Sequence, residues 1–439
     1  MTHIRGMGWS IRNNLRASHD GYKARVDATQ TSAQHVTMTV TKRTMKAVSL
    51  WLLFGLATFP AYASPLTTAF EAACALNPEV ETLTARRAEF DARKGAADAL
   101  LPGGPWATVA HRTDALTHNR DTREYDAEFT VPVWLRGERS ASLAAALTGA
   151  ERLEAEISFR RLEVARRVRD AYWMVAEARE KFTIADRRRS TAATLAKSIQ
   201  SQAQAAQAEL VDTKMATADV RDAEAALAAR KSELNQAVIA FRVLTGREPP
   251  AAFTEQTSVQ ASPDDHPRLL LRRKAIEKAE ADKTLVNATD RERPEFGVFA
   301  SNARDTSAEP NVTSLGVRLK VPFAYDAVNA PKRAAATAEV IGAQSELAQA
   351  EREVRGDAAQ ARARLDGARA QFAALDARYT DLATVVELSQ KSQQAGQTPL
   401  TDLIRARLQL YDAATARVVA RVAVEKARSD YNQALGLKP

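Results

Sequence analysis

The sequence repeats one pattern at an offset of 190 residues, and this duplication constrains the fold more than any other feature. Val131-Pro132 recurs as Val321-Pro322, and Gly246 recurs as Gly436. Because these pairs lie far apart along the chain, a chance match in one short segment does not explain them. The chain is therefore predicted to contain two copies of one structural plan.

Each copy is predicted to contain a helix, two strands, a very long helix, a tight turn and a returning helix. Residues 64–250 form the first copy, residues 251–263 the linker and residues 264–439 the second copy. Three helices are predicted in the first copy, at Leu66–Leu101, Arg136–Gln207 and Leu210–Leu244. At 1.5 Å per residue the longest would extend roughly 105 Å, so the two shorter helices are expected to stack end to end beside it.

Alternating apolar and polar residues predict strands in a chain that is otherwise rich in helix formers. Such segments are about nine to eleven residues long, which is the length of a transmembrane β-strand. The apolar positions are predicted to face lipid: Tyr125, Phe129, Val131, Leu315, Val317, Leu319 and Val321. Four strands cannot close a barrel in a membrane, so the chain is predicted to oligomerise, with eight strands in a dimer or twelve in a trimer.

The long helices carry the spacing of coiled coils. In the second copy an unbroken series of seam positions steps by three and four residues: Leu365, Ala368, Phe372, Leu375, Tyr379, Leu382 and Val386. The first copy keeps this spacing from Val175 to Ala196 but has Arg189 in place of Tyr379. These seams require partner helices, so the fold class is mostly α, with a small β part.

The basic surplus of the chain lies in its first 63 residues. The net charge is +8, but residues 1–63 account for +6 of it, which removes the main argument for nucleic-acid binding. The apolar run AVSLWLLFGLATF and the following Ala61-Tyr62-Ala63 are typical of a signal peptide, with cleavage expected before Ser64. Residues 1–44 fit no export signal, so the leader is interpreted as an over-long start plus a signal peptide.

Motifs of enzymes and cofactor sites are absent from the sequence. It has no Gly-rich phosphate loop, CxxC pair, HExxH or nucleophile elbow, and Cys74 is the only cysteine. His111, His118 and Asp114 fall in a predicted loop and are interpreted as ordinary polar residues rather than metal ligands. No catalytic residue, cofactor or metal is predicted.

Several segments resemble the TolC-like outer membrane factors, and the resemblance extends from Pro65 to Pro439. Its segments are PLTTAFEAACALNPEVETLTARRAEFDARKGAADALLP, TVPVWLRGERSASLAAA, KVPFAYDAVNAPKRAAATAE, AELVDTKMATADVRDAEAAL and AGQTPLTDLIRARLQLYDAA. The resemblance implies a homotrimer with a 12-stranded β-barrel in the outer membrane of a Gram-negative bacterium and a long periplasmic α-barrel. It further implies the passive exit duct of a tripartite efflux system, with a periplasmic adaptor and an inner-membrane pump as partners. The repeats contain little inserted sequence, and in this they most resemble the heavy-metal cation efflux branch.

The resemblance also assigns roles to the turns farthest from the strands. These tips are expected to dock the adaptor through Gln207, Leu210, Gly396, Gln397, Thr398 and Leu400. An acidic ring at the periplasmic gate is implied at Asp402, with Asp212 at the equivalent place in the first copy. The chain departs from the family pattern at Arg405, where a second acidic residue is expected, and Arg405 is placed to pair with Asp402 one helical turn away.

Other functions remain open at this point. A periplasmic adaptor also carries a long helical hairpin, but only one, inside split β-domains. A type I secretion outer membrane component would share the whole plan. A soluble coiled-coil scaffold would explain the seams but neither the signal peptide nor the alternating strands.

Overall fold

The computed structural model describes residues 65–118, 120–205, 209–256 and 262–439. The predicted leader, the cleavage position before Ser64 and Gln207 lie outside the described residues. The described part is mostly helical with a four-stranded antiparallel sheet, which confirms the predicted fold class.

The first half of the chain contains five helices and two strands among its described residues. They are α1 (Pro65–Leu76), α2 (Pro78–Ala85), α3 (Arg87–Asp98), β1 (Trp106–Thr113), β2 (Arg123–Pro132), α4 (Glu138–Gln204) and α5 (Leu210–Thr245). The second half follows the same order with α6 (Pro267–Ala288), β3 (Glu295–Arg304), β4 (Val312–Lys320), α7 (Asp326–Gln394) and α8 (Leu400–Ala434). The copy boundaries proposed from the sequence stay a prediction.

The N-terminal segment is not the single helix predicted over Leu66–Leu101. Asn77 interrupts it, because its side-chain Oδ1 accepts hydrogen bonds from the backbone N–H of Glu79 at 3.0 Å and of Val80 at 3.1 Å. Pro78 then starts α2 at the position where a missing N–H costs nothing. The Asn-Pro pair was therefore a helix boundary, which the prediction overlooked.

Short helices stack end to end beside each long one, as the lengths predicted. The helix α4 packs along α5 and along α1 to α3, while α7 packs along α8 and α6. Two glycines with left-handed backbone, Gly246 (φ +65°) and Gly436 (φ +81°), end the returning helices at these joints. A Cβ at Gly246 would lie 3.2 Å from Leu76, and a Cβ at Gly436 would lie 2.6 Å from Pro267, so the ends are in contact.

The largest core lies where α1, α4 and α5 meet. Phe70, Val168, Trp173 and Phe241 are among its buried side chains. Above it the α4 seam is filled by small residues, with Ala178, Ala185 and Ala192 all buried, which lets neighbouring helices approach closely. The predicted coiled-coil seam of the first copy is therefore a packed interface.

A buried arginine fastens the linker and the C-terminal segment to α4. The guanidinium of Arg169 is ion-paired to Glu255, and its Nη1 donates to Gln433 Oε1 at 2.5 Å and to the Leu437 carbonyl at 2.9 Å. The Ser429 hydroxyl donates to the same carboxylate at 2.6 Å. Because each charge has partners, the cost of burying the pair is offset.

The sheet has the order β1-β2-β3-β4, with every neighbouring pair antiparallel. The central β2–β3 pair joins the two halves, with Phe129 opposite Val298 and Pro132 opposite Glu295. One predicted strand position needs correction: Val321 lies just beyond β4, which ends at Lys320. The following Pro322 has no N–H to donate, so the ladder does not continue there.

Candidate functional site

One face of the sheet, here called the apolar face, carries the alternating apolar residues. Residues opposite one another in the register share a face, so this face is built from rows that cross all four strands. Two of its rows are Ala107–Phe129–Val298–Val317 and Val109–Ala127–Ala300–Leu315. Six predicted positions lie on this face: Tyr125, Phe129, Val131, Leu315, Val317 and Leu319.

The apolar face is exposed in the chain. Leu315 is 83% exposed, Val317 70% and Leu319 66%. Sequence reasoning missed the contribution of β3, whose Phe296 and Val298 are 44% and 46% exposed, although their alternation was readable in EFGVFASNAR. An apolar patch of this kind on a regular sheet indicates an environment other than water.

The opposite face, here called the polar face, is crossed by ion pairs. The Arg112 Nη1 atom lies 2.7 Å from Glu124 Oε2. Lys320 Nζ lies 3.3 Å from Glu295 Oε1. The third pair spans three strands, because Arg318 Nη1 on β4 lies 2.5 Å from Glu128 Oε2 on β2.

The third pair is possible because the strand between its partners has no side chain at that point. A Cβ at Gly297 would lie 2.9 Å from Glu128 Oε1 and 2.9 Å from Thr130 Oγ1. The Arg318 guanidinium also lies 5.5 Å from the centre of the Phe299 ring. The glycine in β3 thus allows a residue of the first copy to form an ion pair with a residue of the second copy across the sheet.

The hairpin tip between α7 and α8 is a tight helix-to-helix turn. Gly396 has the left-handed conformation expected for it, with φ +73°, and the backbone N–H of Gln397 donates to the Ser392 carbonyl at 3.0 Å to close the helix end. Pro399 is the N-cap of α8, and Thr398 lies one residue before it, outside the helix. Thr398 instead hydrogen-bonds through its hydroxyl to the hydroxyl of Ser392.

The two tips differ in how far they expose equivalent leucines. Leu210 at the start of α5 is 74% exposed, whereas Leu400, its counterpart 190 residues later, is 4% exposed. Leu400 and Leu403 pack against Leu195 and Ile199 of α4. Leu400 is therefore enclosed inside the tip of the chain, and its place in the adaptor-docking set stays a prediction.

The residues predicted to form a gate lie just past these tips. Asp402 and Arg405 form the predicted pair within the chain, with Arg405 Nη1 3.1 Å from Asp402 Oδ1, and their side chains are 48% and 71% exposed. Asp212 lies in the first turn of α5. Among the described residues Asp212 has no ion pair, so the two equivalent acids differ in their local charge balance.

His111, which lies in β1 rather than in the predicted loop, and Asp114 have structural contacts. The His111 ring stacks on Tyr125 with centroids 4.4 Å apart. Asp114 accepts backbone hydrogen bonds from Arg120 at 2.7 Å and from Thr122 at 3.0 Å, which shapes the loop. Over the described ranges, no cluster of three acidic, histidine or cysteine side chains is placed to hold a metal.

Within the part of the chain that the structure describes, no helix is both long and apolar enough to cross a membrane.

Comparison with known structures identifies the fold. The chain superposes on CusC with a TM-score of 0.69 at 15% identity, covering 84% of this chain and 92% of CusC. It superposes on the outer membrane protein VceC of Vibrio cholerae with a TM-score of 0.66 at 15% identity, covering 84% of this chain and 96% of VceC. The chain has the fold of the TolC-like outer membrane factors.

The sequence comparison adds a relative with a higher identity over a shorter part of the chain. The TolC-like chain is 27% identical over 274 residues to the cobalt-zinc-cadmium resistance protein CzcC of Cupriavidus metallidurans. The match covers 60% of this chain and spans about 64% of the length of that relative. No family model matches the chain.

Proposed function

We propose that this protein is the outer membrane channel of a tripartite efflux system. The observation that carries the proposal is one sheet with an exposed apolar face and an ion-paired polar face, joined directly to two long helical hairpins. A sheet of this kind can contact lipid with its apolar face and water with its polar face, and the long hairpins can form the wall of an extended channel.

The proposed assembly is a homotrimer. The edge strands β1 and β4 have free backbone groups on one side within the chain. Open edges are not tolerated in lipid, so β4 of one chain pairs with β1 of the next until twelve strands close. The apolar face then contacts the lipid of a Gram-negative outer membrane, and the helices extend into the periplasm.

The proposed cargo is metal cations. CzcC is named for cobalt, zinc and cadmium resistance, and the likeness to it supports the heavy-metal branch. The duct is passive: an inner-membrane pump supplies the energy and a periplasmic adaptor connects the two. No catalytic function is proposed, because the polar residues described above are used in ion pairs, helix caps and turns.

The tips are the proposed adaptor-docking surface. Leu210 and Gln397 are exposed or partly exposed at the two tips, together with the Gly396 and Thr398 turn. Leu400 contributes by holding the second tip against α4 rather than by contact. Asp402 is the proposed gate carboxylate, with Arg405 moderating its charge and Asp212 in a lesser role.

Metal efflux in cells tests the cargo. Bacteria that lack the gene should accumulate more cobalt, zinc or cadmium than the parent when the matching pump and adaptor are present, and the gene on a plasmid should restore efflux. If the deletion leaves metal content unchanged but raises the content of an organic dye, the cargo assignment is wrong while the duct stands.

A further inference from the structure

The charges of the polar face do not all cancel. Seven charged side chains share this face: Arg112, Glu124, Asp126, Glu128, Glu295, Arg318 and Lys320. Six of them form the three ion pairs described above. Asp126 has no ion pair and no side-chain hydrogen bond with the described residues, so the face retains one net negative charge per chain.

The duplication explains which acid is left over. Glu128 and Arg318 occupy equivalent positions of the two copies, 190 residues apart, and they pair with each other. The equivalent of Asp126 is Gly316. On this face β2 therefore carries acids and its equivalent β4 carries bases, but β4 has no base at the position equivalent to Asp126.

A side chain at Gly316 is excluded by its neighbour. A Cβ there would lie 2.4 Å from Cζ of Phe299, which is closer than any real contact. The same ring supports the Arg318 guanidinium from 5.5 Å away, so moving the ring would disturb the Glu128–Arg318 pair. The absence of a partner for Asp126 is thus built into the packing of the sheet.

The row that contains Asp126 is otherwise small and neutral. Its register partners are Ala110 on β1 and Ser301 on β3, and Ser301 in turn faces Ser314 on β4. Nothing in this row opposes the negative charge. Two opposite charges a few ångströms apart produce little net electric field at a distance. The field of an unpaired carboxylate extends over about one Debye length, which is about 10 Å in 0.1 M salt.

We propose that Asp126 determines the charge selectivity of the strand part of the duct. In the proposed trimer three Asp126 carboxylates lie at one level of the lumen, bordered by serine hydroxyls. This ring raises the local concentration of cations and lowers that of anions. The inference rests on the proposed function and refines it, because it favours cationic cargo at a level far from the tips.

Reversal potentials across a planar bilayer test this role. Under a KCl gradient at about 0.1 M salt, Asp126→Asn should lower the ratio of K⁺ to Cl⁻ permeability by about twofold or more. Asp126→Glu, which keeps the charge, should retain the parent ratio. The measurement is repeated in the Asp402→Ala background so that the tip does not dominate the selectivity.

The Glu128–Arg318 pair provides the matched control. Glu128→Gln leaves Arg318 unpaired and should lower the permeability ratio as Asp126→Asn does. The double variant Glu128→Gln/Arg318→Gln removes both charges and should leave the ratio near that of the parent. These outcomes would show that the net charge of the polar face sets the selectivity. A substitution on this face that leaves the net charge unchanged would have no such effect.

Two outcomes overturn the inference in different ways. If the parent conducts but Asp126→Asn leaves its reversal potential unchanged in both backgrounds, the role of Asp126 is wrong and the proposed duct stands. If the parent forms no channel at all, the proposed function fails and the inference fails with it.

Discussion

At the residue scale, the two copies cap equivalent helices with different side chains. Asn77 caps α2 through its amide oxygen, and His266 caps α6 by accepting the Arg268 backbone N–H at Nδ1 at 3.0 Å. The pKa of His266 is lowered to about 4, mainly by burial and secondly by the Arg268 guanidinium, while Asp357 opposes the shift. A protonated Nδ1 cannot accept this hydrogen bond, so the cap requires neutral imidazole.

Stability should therefore depend on pH through His266. Its pKa is lower in the folded chain than its usual 6.5, so its contribution is present above about pH 6.5 and is lost as pH falls toward 4. His266→Asn supplies the cap of the first copy without a titrating group. The parent should lose more apparent melting temperature between pH 7 and pH 5 than this variant, and equal losses would contradict the assignment.

The buried Arg169–Glu255 pair gives a second prediction at this scale. Arg169→Met should lower the free energy of unfolding by about 3–5 kcal/mol, because it leaves the Glu255 carboxylate buried and poorly compensated. The double variant Arg169→Met/Glu255→Met should be less destabilised than Arg169→Met alone. Chemical denaturation of the parent, both single variants including Glu255→Met, and the double variant measures the difference, and simple addition of the two single losses would mean that the ion pair is not coupled.

At the element scale, much of the fold was predictable because it follows from periodicity. The coiled-coil spacing predicted α4 and α7, and strict alternation predicted β2 and β4. The sequence did not reveal that Leu400 is buried while Leu210 is exposed, because packing of one tip against α4 decides that difference. Nor could it reveal the Glu128–Arg318 pair, which depends on strand order and on the gap at Gly297.

The two faces of β4 should respond differently to the same substitution. Val317→Arg places a charge on the apolar face and should cost about 2–4 kcal/mol near the middle of the membrane. Ser314→Arg introduces the same residue on the polar face of the same strand and should assemble normally. The yield of assembled protein in outer membranes measures both, and equal yields would mean that the apolar face does not meet lipid.

The Asp402–Arg405 pair gives opposite predictions for its two members. Asp402→Ala should raise single-channel conductance and weaken block by divalent cations, because it removes the proposed gate carboxylate. Arg405→Ala should strengthen that block, because it frees the carboxylate from a partner 3.1 Å away. Asp212→Ala should have a smaller effect. If Asp402→Ala and Arg405→Ala both match the parent, Asp402 is only a residue of the first helical turn.

At the scale of the whole molecule, four strands and two hairpins leave surfaces of the chain without packing partners. The chain exposes the apolar face and two sheet edges, and its second-copy seam is only partly covered. From Ala368 to Val386 the seam positions of α7 are half-buried in the chain, whereas the matching stretch of α4 includes fully buried alanines. Partner chains would cover all three surfaces together, so the proposed function depends on assembly into an oligomer.

Native mass spectrometry of the protein extracted from outer membranes in detergent tests this assembly most directly. A complex of three identical chains is expected, because twelve strands close the sheet and cover its edges. A stable monomer that stays in solution without detergent would contradict it.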